Sequence, residues 1–154
     1  MLKKNILLLS LIFVIGCGSA PPLEINLEQA KKLGDKVALD YFDNNSKDLY
    51  PRLNEGFHTE VHNAKDLAKV LHRIRFLYGE PTSYTYKVVT YGHRLMGAEQ
   101  KSYADVWYVL RTKLYPKGDH YLKIEVLQAD GATFLDVGGF GVLDFPKGLP
   151  AYLK

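Results

Sequence analysis

The chain has 154 residues, 47% of them hydrophobic, with a formal net charge of +3 and a single cysteine. This length suffices for one domain with its own core but not for two, and one cysteine excludes an intramolecular disulfide. The chain contains 20 Lys and Arg residues and 17 Asp and Glu residues. That balance does not supply the clustered cations that phosphate binding needs, so it argues against nucleic acid as a partner.

The N-terminus has the form of a secretory signal. Two lysines precede an apolar run over residues 6–15, which closes in Gly16 and Cys17 and is too short to span a bilayer. The closing residues resemble the bacterial lipoprotein signal, in which the cysteine is acylated, for example with palmitate, and becomes the first residue. The resemblance implies a signal peptide over residues 1–16 and lipid attachment at Cys17.

Two other interpretations of this segment stay open. It could be an ordinary signal peptide cut elsewhere, with Cys17 an incidental thiol, or a buried helix of a cytosolic domain. A core helix is expected to carry polar residues on one face, whereas only Asn5 and Ser10 interrupt this run. The pattern therefore favours lipidation.

The segment of residues 17–25 is short and contains two prolines. We expect it to be a lipidated tether that holds the folded part near a membrane. By resemblance to lipoproteins of Gram-negative bacteria, Gly18 in place of an aspartate favours the outer membrane. The expected location is then the cell envelope, facing the periplasm if the host is Gram-negative. Residues 26–145 are expected to form the domain, and 146–154 a C-terminal tail.

The first half of the domain is helical in pattern. Asn26 is a favourable N-cap for a helix that should end by Asn44 or Asn45. A shorter helical segment is predicted around residues 48–57, interrupted by Pro51. The apolar positions of the first helix recur at helical spacing and are Ala30, Leu33, Val37, Ala38 and Tyr41.

A second long helix is predicted from Asn63 through Leu77. Asn63 caps its start, and Gly79 follows its end. Its apolar face is expected to consist of Leu67, Val70, Leu71, Ile74 and Leu77. The basic stretch formed by His72, Arg73 and Arg75 is expected to be a solvated face of this helix.

The second half is rich in Tyr, Val and Thr, which favour strands. Two turn signals divide it, a three-residue loop over 116–118 and a two-residue turn at Asp130 and Gly131. The predicted antiparallel strands are 83–92, 102–115, 120–129 and 132–144. Helices followed by strands predict an α+β fold with N-terminal helices packed on one face of a bent four-stranded antiparallel meander.

Those loop lengths predict the register of the sheet. Leu110 should pair with Ile124, and Val126 with Leu135. The apolar face expected to receive the helices contains Tyr108, Leu110, Thr112, Leu122, Ile124, Val126, Leu135 and Val137. The opposite face mixes charges with aromatic and aliphatic side chains.

Helices followed by a bent meander occur here together with Asp48-Leu49-Tyr50, Phe57, a helix ending at Leu77 with Gly79, Asp130-Gly131 and Gly139-Phe140. This combination resembles the cystatin-like cone of the nuclear transport factor 2-like superfamily, and in particular small bacterial lipoproteins of that superfamily whose function is unknown. The resemblance covers about residues 26–145.

The superfamily includes ketosteroid isomerase-like enzymes, which require a general base in the pocket. The predicted register sends Asp105, Glu125 and Asp136 to the other face, and the apolar stripe of the first helix places Asp40 and Asp43 mostly off its buried side. We therefore predict no catalytic residue and no cofactor, although an enzyme is not excluded.

His58 and His62 have the spacing of two metal ligands on one helical face. Because Asn63 reads as the cap of the next helix, His62 is expected to precede that helix and the pair to lie in a loop. No metal site is predicted.

The outer sheet face is the predicted partner surface, because it has the composition of interaction hot spots. Its expected residues are Trp107, Val109, Leu127 and Phe134, with Tyr103, Arg111 and Tyr121 around them. The partner would be another envelope protein or a second copy. The alternative is that the tail or residues 45–62 cover this face. The predicted function is a membrane-anchored, non-catalytic binding or assembly module; the alternative is a small-ligand-binding or isomerase-like pocket inside the cone.

Overall fold

Helices occupy the first half of the described chain and strands the second. The computed structural model describes residues 25–96, 99–117, 120–128 and 135–144. Cys17, Phe134, the signal peptide, residues 17–24 of the tether and the tail lie outside them. The elements are α1 (Leu27–Phe42), α2 (Ser46–Leu49), α3 (Glu55–His58), α4 (Ala64–Tyr78), β1 (Pro81–Met96), β2 (Glu99–Thr112), β3 (His120–Gln128) and β4 (Leu135–Asp144).

Helix α1 begins and ends where the sequence predicts. The side-chain oxygen of Asn26 accepts a hydrogen bond from the Gln29 N–H at 3.0 Å, which satisfies one of the free donors of the first turn. Asn44, just past the end, has a φ of 59°, a left-handed conformation that asparagine tolerates. The buried apolar residues of α1 are Ala30, Gly34, Val37, Ala38 and Tyr41.

The segment between the long helices is helical in short pieces, as predicted. A 3-10 turn over Tyr50–Arg52 holds Pro51 between α2 and α3, because proline lacks the N–H that a continuous helix would need. Leu49, Leu53 and Val61 are buried in the core on the helix side of the sheet. These core residues therefore do not cover the outer sheet face, contrary to one of the alternatives.

Helix α4 has the predicted ends but a narrower core face. Asn63 accepts from the N–H groups of Lys65 and Asp66, both at 3.0 Å, and Gly79, with a φ of 87°, donates its N–H to the Arg75 carbonyl at 2.8 Å. Leu67 and Leu71 are buried and Ile74 is partly buried. The predicted core positions Val70 and Leu77 are instead exposed.

The four strands form one antiparallel meander in the order β1-β2-β3-β4. The predicted pairing of β2 with β3 is wrong by four residues, since Leu110 pairs with His120 and Tyr108 with Leu122. Because side chains alternate between faces with a period of two, this even shift leaves every face assignment on β2 and β3 unchanged.

The cause of the shift is that the end of β2 bonds to other parts of the chain. Thr112 Oγ1 donates to the Tyr78 carbonyl at 2.6 Å, and the Lys113 N–H donates to the Glu80 carbonyl at 2.9 Å. The Thr112 N–H donates to the Tyr115 carbonyl. These bonds hold residues 113–115 beside the end of α4, so they do not extend the β2–β3 ladder into a three-residue hairpin.

The predicted pairing of β3 with β4 is also wrong. Val126 pairs with Val137, and a bulge between Glu125 and Val126 places Ile124 opposite Phe140. The pair nearest the turn among the described residues is Gln128 with Leu135. The turn at Asp130 and Gly131 lies outside the described residues.

The helices pack on one face of the curled sheet, which makes the fold α+β as predicted. The inner face of β2 and β3 contributes fully buried side chains that join those of α1, α2 and α4 in one core. A Cβ at Gly34 would lie 3.0 Å from three carbons of Val106. Glycine at this position therefore permits the close approach of α1 to β2. The buried inner-face residues are Ala104, Val106, Tyr108, Leu110, Leu122, Ile124 and Val126.

Candidate functional site

The outer face of the sheet, opposite the helices, carries an aromatic group centred on Trp107. The indole N–H of Trp107 donates to Thr90 Oγ1 on β1 at 3.3 Å. The Trp107 ring meets Tyr121 edge-on, with 6.0 Å between ring centroids. Val88 and Val109 pack in the same small cluster. These contacts from both neighbouring strands hold the half-buried Trp107 ring in one orientation.

Charged side chains lie directly beside this aromatic group. Lys123, the cross-strand partner of Trp107, places its ammonium 5.6 Å from the indole centroid and 3.1 Å from Asp105 Oδ1. Glu125 Oε2 is 4.0 Å from the same ammonium. A cation over an indole face is attracted by the ring quadrupole, so Lys123 is fixed by the ring and by two carboxylates.

The seven residues predicted for the partner surface differ in accessibility. Tyr121 and Leu127 are buried, with 1% and 6% of their surface exposed, and burial raises the pKa of the Tyr121 phenol. Trp107, Val109 and Tyr103 are half-buried, and Arg111 is exposed. Phe134 lies outside the described residues. The accessible part of the predicted surface is therefore centred on Trp107 and Val109 and bordered by Arg111.

Tyr103 reaches this face from the other end of β2. It pairs with Gly92, and a Cβ at that glycine would lie 2.8 Å from the Tyr103 hydroxyl. The phenol therefore occupies the space above the glycine, so a larger residue at position 92 would displace Tyr103.

A second polar group lies on the inner face, where α1 meets the sheet. Tyr108 Oη donates to Asp35 Oδ1 at 2.8 Å, and Lys31 Nζ donates to Asp35 Oδ2 at 2.7 Å. The Lys31 ammonium also lies 4.6 Å from the centroid of the Tyr86 ring. Tyr84 and Tyr86 both meet Tyr108 edge-on.

Two of the inner-face tyrosines, Tyr108 and Tyr84, have raised pKa values. Burial raises the pKa of Tyr108, and its hydrogen bond to the Asp35 carboxylate raises it further. The pKa of Tyr84 is raised by burial and by the negative charges of Asp35 and Asp43. Because the Asp35 carboxylate accepts from both Tyr108 and Lys31, it joins α1 to the sheet.

Sequence reasoning missed Asp35 and misplaced Asp40. The signal for Asp35 was its spacing of four residues from Lys31 beside the apolar stripe of α1. Asp40 was expected to lie mostly off the buried side, but it is only 8% exposed. It can be buried because its carboxylate pairs with Arg52 at 3.1 Å, a partner in the following 3-10 turn. Asp43 is exposed, as expected.

The histidines considered for metal binding contact backbone carbonyls. His58 Nε2 lies 2.9 Å from the Leu53 oxygen, and His62 Nδ1 lies 3.2 Å from the His58 oxygen. His120 is buried between the rings of Tyr78 and Tyr115. Within the described ranges, no group of three or more His, Cys, Asp or Glu side chains is placed to hold a metal ion.

Of the basic stretch on α4, only part is solvated. His72 and Arg73 are exposed, as predicted. Arg75 instead turns inward: its guanidinium donates to Glu80 Oε2 and to the carbonyls of Tyr41 and Phe42. Arg75 thereby satisfies backbone acceptors at the C-terminal end of α1.

Comparisons of the chain with protein-family models, with curated proteins and with solved structures found no match. The resemblance to nuclear transport factor 2-like lipoproteins therefore stays a prediction. Among the residues described, no helix has the length and apolar character needed to cross a membrane.

Proposed function

We propose that this protein is an envelope lipoprotein, acylated at Cys17, that acts as a non-catalytic binding or assembly module through its outer sheet face. The observation that carries the binding role is the fixed Trp107 ring, half-buried on the side of the sheet away from the helices. The anchor rests on the signal-like run that closes in Gly16 and Cys17. The domain belongs, by our proposal, to the nuclear transport factor 2-like lipoproteins.

The geometry around Trp107 suits recognition of a protein. An aromatic side chain already held by Thr90 and Tyr121 loses little freedom when a partner covers it, so more of its contact energy appears as affinity. Central aromatic residues with a charged border are the usual energetic centres of interfaces. Asp105, Lys123 and Arg111 supply that border here.

The inner face supports a non-catalytic role. Its buried carboxylate Asp40 is paired with Arg52, and Asp35 holds Tyr108 and Lys31. Tyr108, Leu110 and Ile124, the side chains that would line a pocket on this face, are buried in the core. These contacts count against the ligand-pocket alternative.

One observation still favours that alternative. Tyr86 and Tyr91 on β1 are exposed, and Tyr86 lies beside the Lys31 ammonium. A small aromatic or anionic ligand could bind there, at the edge of the helix layer, without entering the core. A shift of the Tyr86 NMR signals on addition of a small-molecule library would identify such a ligand.

Capture from detergent-solubilised envelope membranes tests the proposed partner surface. Bait proteins would be the wild type, Trp107→Ser and the matched control Tyr91→Ser, which removes an exposed aromatic from the other face. We expect Trp107→Ser to reduce the recovery of a specific envelope partner, or of a tagged second copy, at least tenfold. The control should retain it.

Equal recovery with Trp107→Ser and the wild type would overturn the partner surface. Circular dichroism melting of each bait separates loss of binding from loss of fold. A large fall in melting temperature for Trp107→Ser alone would assign the ring to intramolecular packing and would count against the proposal.

A further inference from the structure

The outward side of α4 carries exposed apolar residues next to cations. Phe76 and Leu77 in its last turn are 78% and 56% exposed. Arg73 and Val70 lie one and two turns earlier on the same face, since residues three and four apart are neighbours on a helix. This surface, together with Leu114, is called the α4 patch.

Leu114 joins the patch because the end of β2 is bound to the end of α4. The Lys113 N–H donates to the Glu80 carbonyl, and a Cβ at Gly79 would lie 2.9 Å from Leu114 Cγ. Leu114 is nevertheless 61% exposed. Three large apolar side chains are therefore presented to the outside at one end of the helix.

The cations of the patch are not neutralised by the acids around them. Asp66 is bound by Lys69 at 2.9 Å, and Glu80 by Arg75. No described carboxylate lies within ion-pair distance of Arg73 or Lys113. Apolar side chains bordered by uncompensated cations are typical of surfaces that lie on anionic lipid.

We propose that the α4 patch lies on the headgroup layer of an anionic membrane and orients the domain there. This inference rests on the proposed anchor. Cys17 precedes the buried Ile25 by eight residues, which span about 26 Å when fully extended. Ile25, the first described residue, belongs to the core on the helix side of the sheet, so the tether joins the domain on the side that carries α4.

A second copy fits the patch less well than lipid does. A symmetric contact between two α4 patches would bring the cations of one copy close to those of the other, and like charges repel. Anionic headgroups neutralise the same cations. Docking through α4 also leaves the outer sheet face, with Trp107, turned away from the membrane and accessible to a partner.

Site-specific fluorescence of the full lipidated protein in vesicles tests this orientation. Because Cys17 is the single cysteine and is acylated in the proposed protein, Phe76→Cys introduces one reactive thiol for an environment-sensitive dye. The matched control is Thr85→Cys, an exposed position on the outer sheet face. Both proteins are reconstituted into phosphatidylethanolamine vesicles with phosphatidylglycerol and into phosphatidylcholine vesicles, each with a lipid-borne quencher.

In phosphatidylglycerol vesicles we expect quenching at position 76 to be at least threefold stronger than at position 85. The double change Arg73→Glu and Lys113→Glu should reduce it at least twofold, and so should phosphatidylcholine. Equal quenching at the two positions would overturn the proposal, and so would energy transfer between dyes on separate copies at position 76. If quenching at position 76 is the same in phosphatidylcholine vesicles and in the double variant as in the reference protein, the electrostatic basis of docking is overturned.

The same preparation separates failure of docking from failure of the anchor. Its intact mass reports the acyl group and the number of dyes bound. An acylated chain with one dye and equal quenching would overturn docking alone. A chain without the acyl group and with a second dye on Cys17 would overturn the anchor and, with it, the basis of this inference.

Discussion

Neighbouring residues on β2 point to opposite faces of the sheet and differ in burial. Leu110 and Tyr108 point to the inner face and are buried in the core with α1 and α4, whereas Val109 and Trp107 point to the outer face and stay half-buried. The inner polar groups are engaged within the molecule, as Tyr108 is with Asp35. One face of this sheet therefore packs against the helices, and the other holds a half-buried aromatic ring in a fixed orientation.

The largest expected effect breaks the packing on the inner face. Leu110→Ala removes a fully buried side chain from the core and should lower the free energy of unfolding by about 3 kcal/mol. Val109→Ala, one residue away on the outer face, should cost only about 1 kcal/mol. Urea denaturation of the two variants measures the difference. Equal losses would contradict the distinction between the faces.

Removal of the hydroxyl that joins Tyr108 to Asp35 should have a smaller effect. Tyr108→Phe leaves the Asp35 carboxylate with Lys31 alone and should lower the free energy of unfolding by about 2 kcal/mol. Tyr86→Phe is the matched control. Tyr86 contacts Lys31 and Tyr108 through its ring, and phenylalanine keeps that ring. The control should stay within about 0.5 kcal/mol of the wild type.

The same tyrosine makes stability sensitive to alkaline pH. Burial raises the pKa of Tyr108, and burial raises the pKa of Tyr41 to about 12, while unfolded tyrosine titrates near about 10. Above that pH the folded state holds more protons than the unfolded state, so stability falls as pH rises. Between pH 10 and 12 the wild type should lose stability more steeply than Tyr108→Phe. Parallel curves would contradict this.

The smallest expected effect concerns the approach of α1 to the sheet. Gly34→Ala gains helix propensity of about 1 kcal/mol but presses a methyl group on Val106, which costs about 2 kcal/mol in a packed core. A net loss of about 1 kcal/mol is expected. In a Val106→Ala background, which removes two of the three close carbons and leaves Cβ, the same change should cost less. A loss of the same size in both backgrounds would show that Val106 is not the obstacle.

Sequence reasoning located the helix ends and the faces of the sheet because those features have local causes. Asn26, Asn63 and Gly79 act on backbone groups within four residues of themselves, and alternation along a strand assigns a face without knowledge of the register. The predicted pairing of β2 with β3 is wrong because Thr112 and Lys113 form hydrogen bonds with Tyr78 and Glu80. No local turn pattern reveals these distant bonds.

The candidate site was less predictable than the fold for the same reason. Trp107 is held by Thr90 and Tyr121, and Tyr108 bonds to Asp35, 73 residues away in the sequence. Such pairings depend on how the chain packs. The burial of Tyr121 likewise follows from its packing against Val88, Trp107 and Val109 on the outer face, which composition alone does not indicate.

The intact mass of the mature protein, purified from envelope membranes, tests the proposed anchor most directly. We predict a chain that begins at Cys17 and carries the added mass of acyl groups on that residue. A soluble product that retains residues 1–16 and has an unmodified thiol would contradict the account.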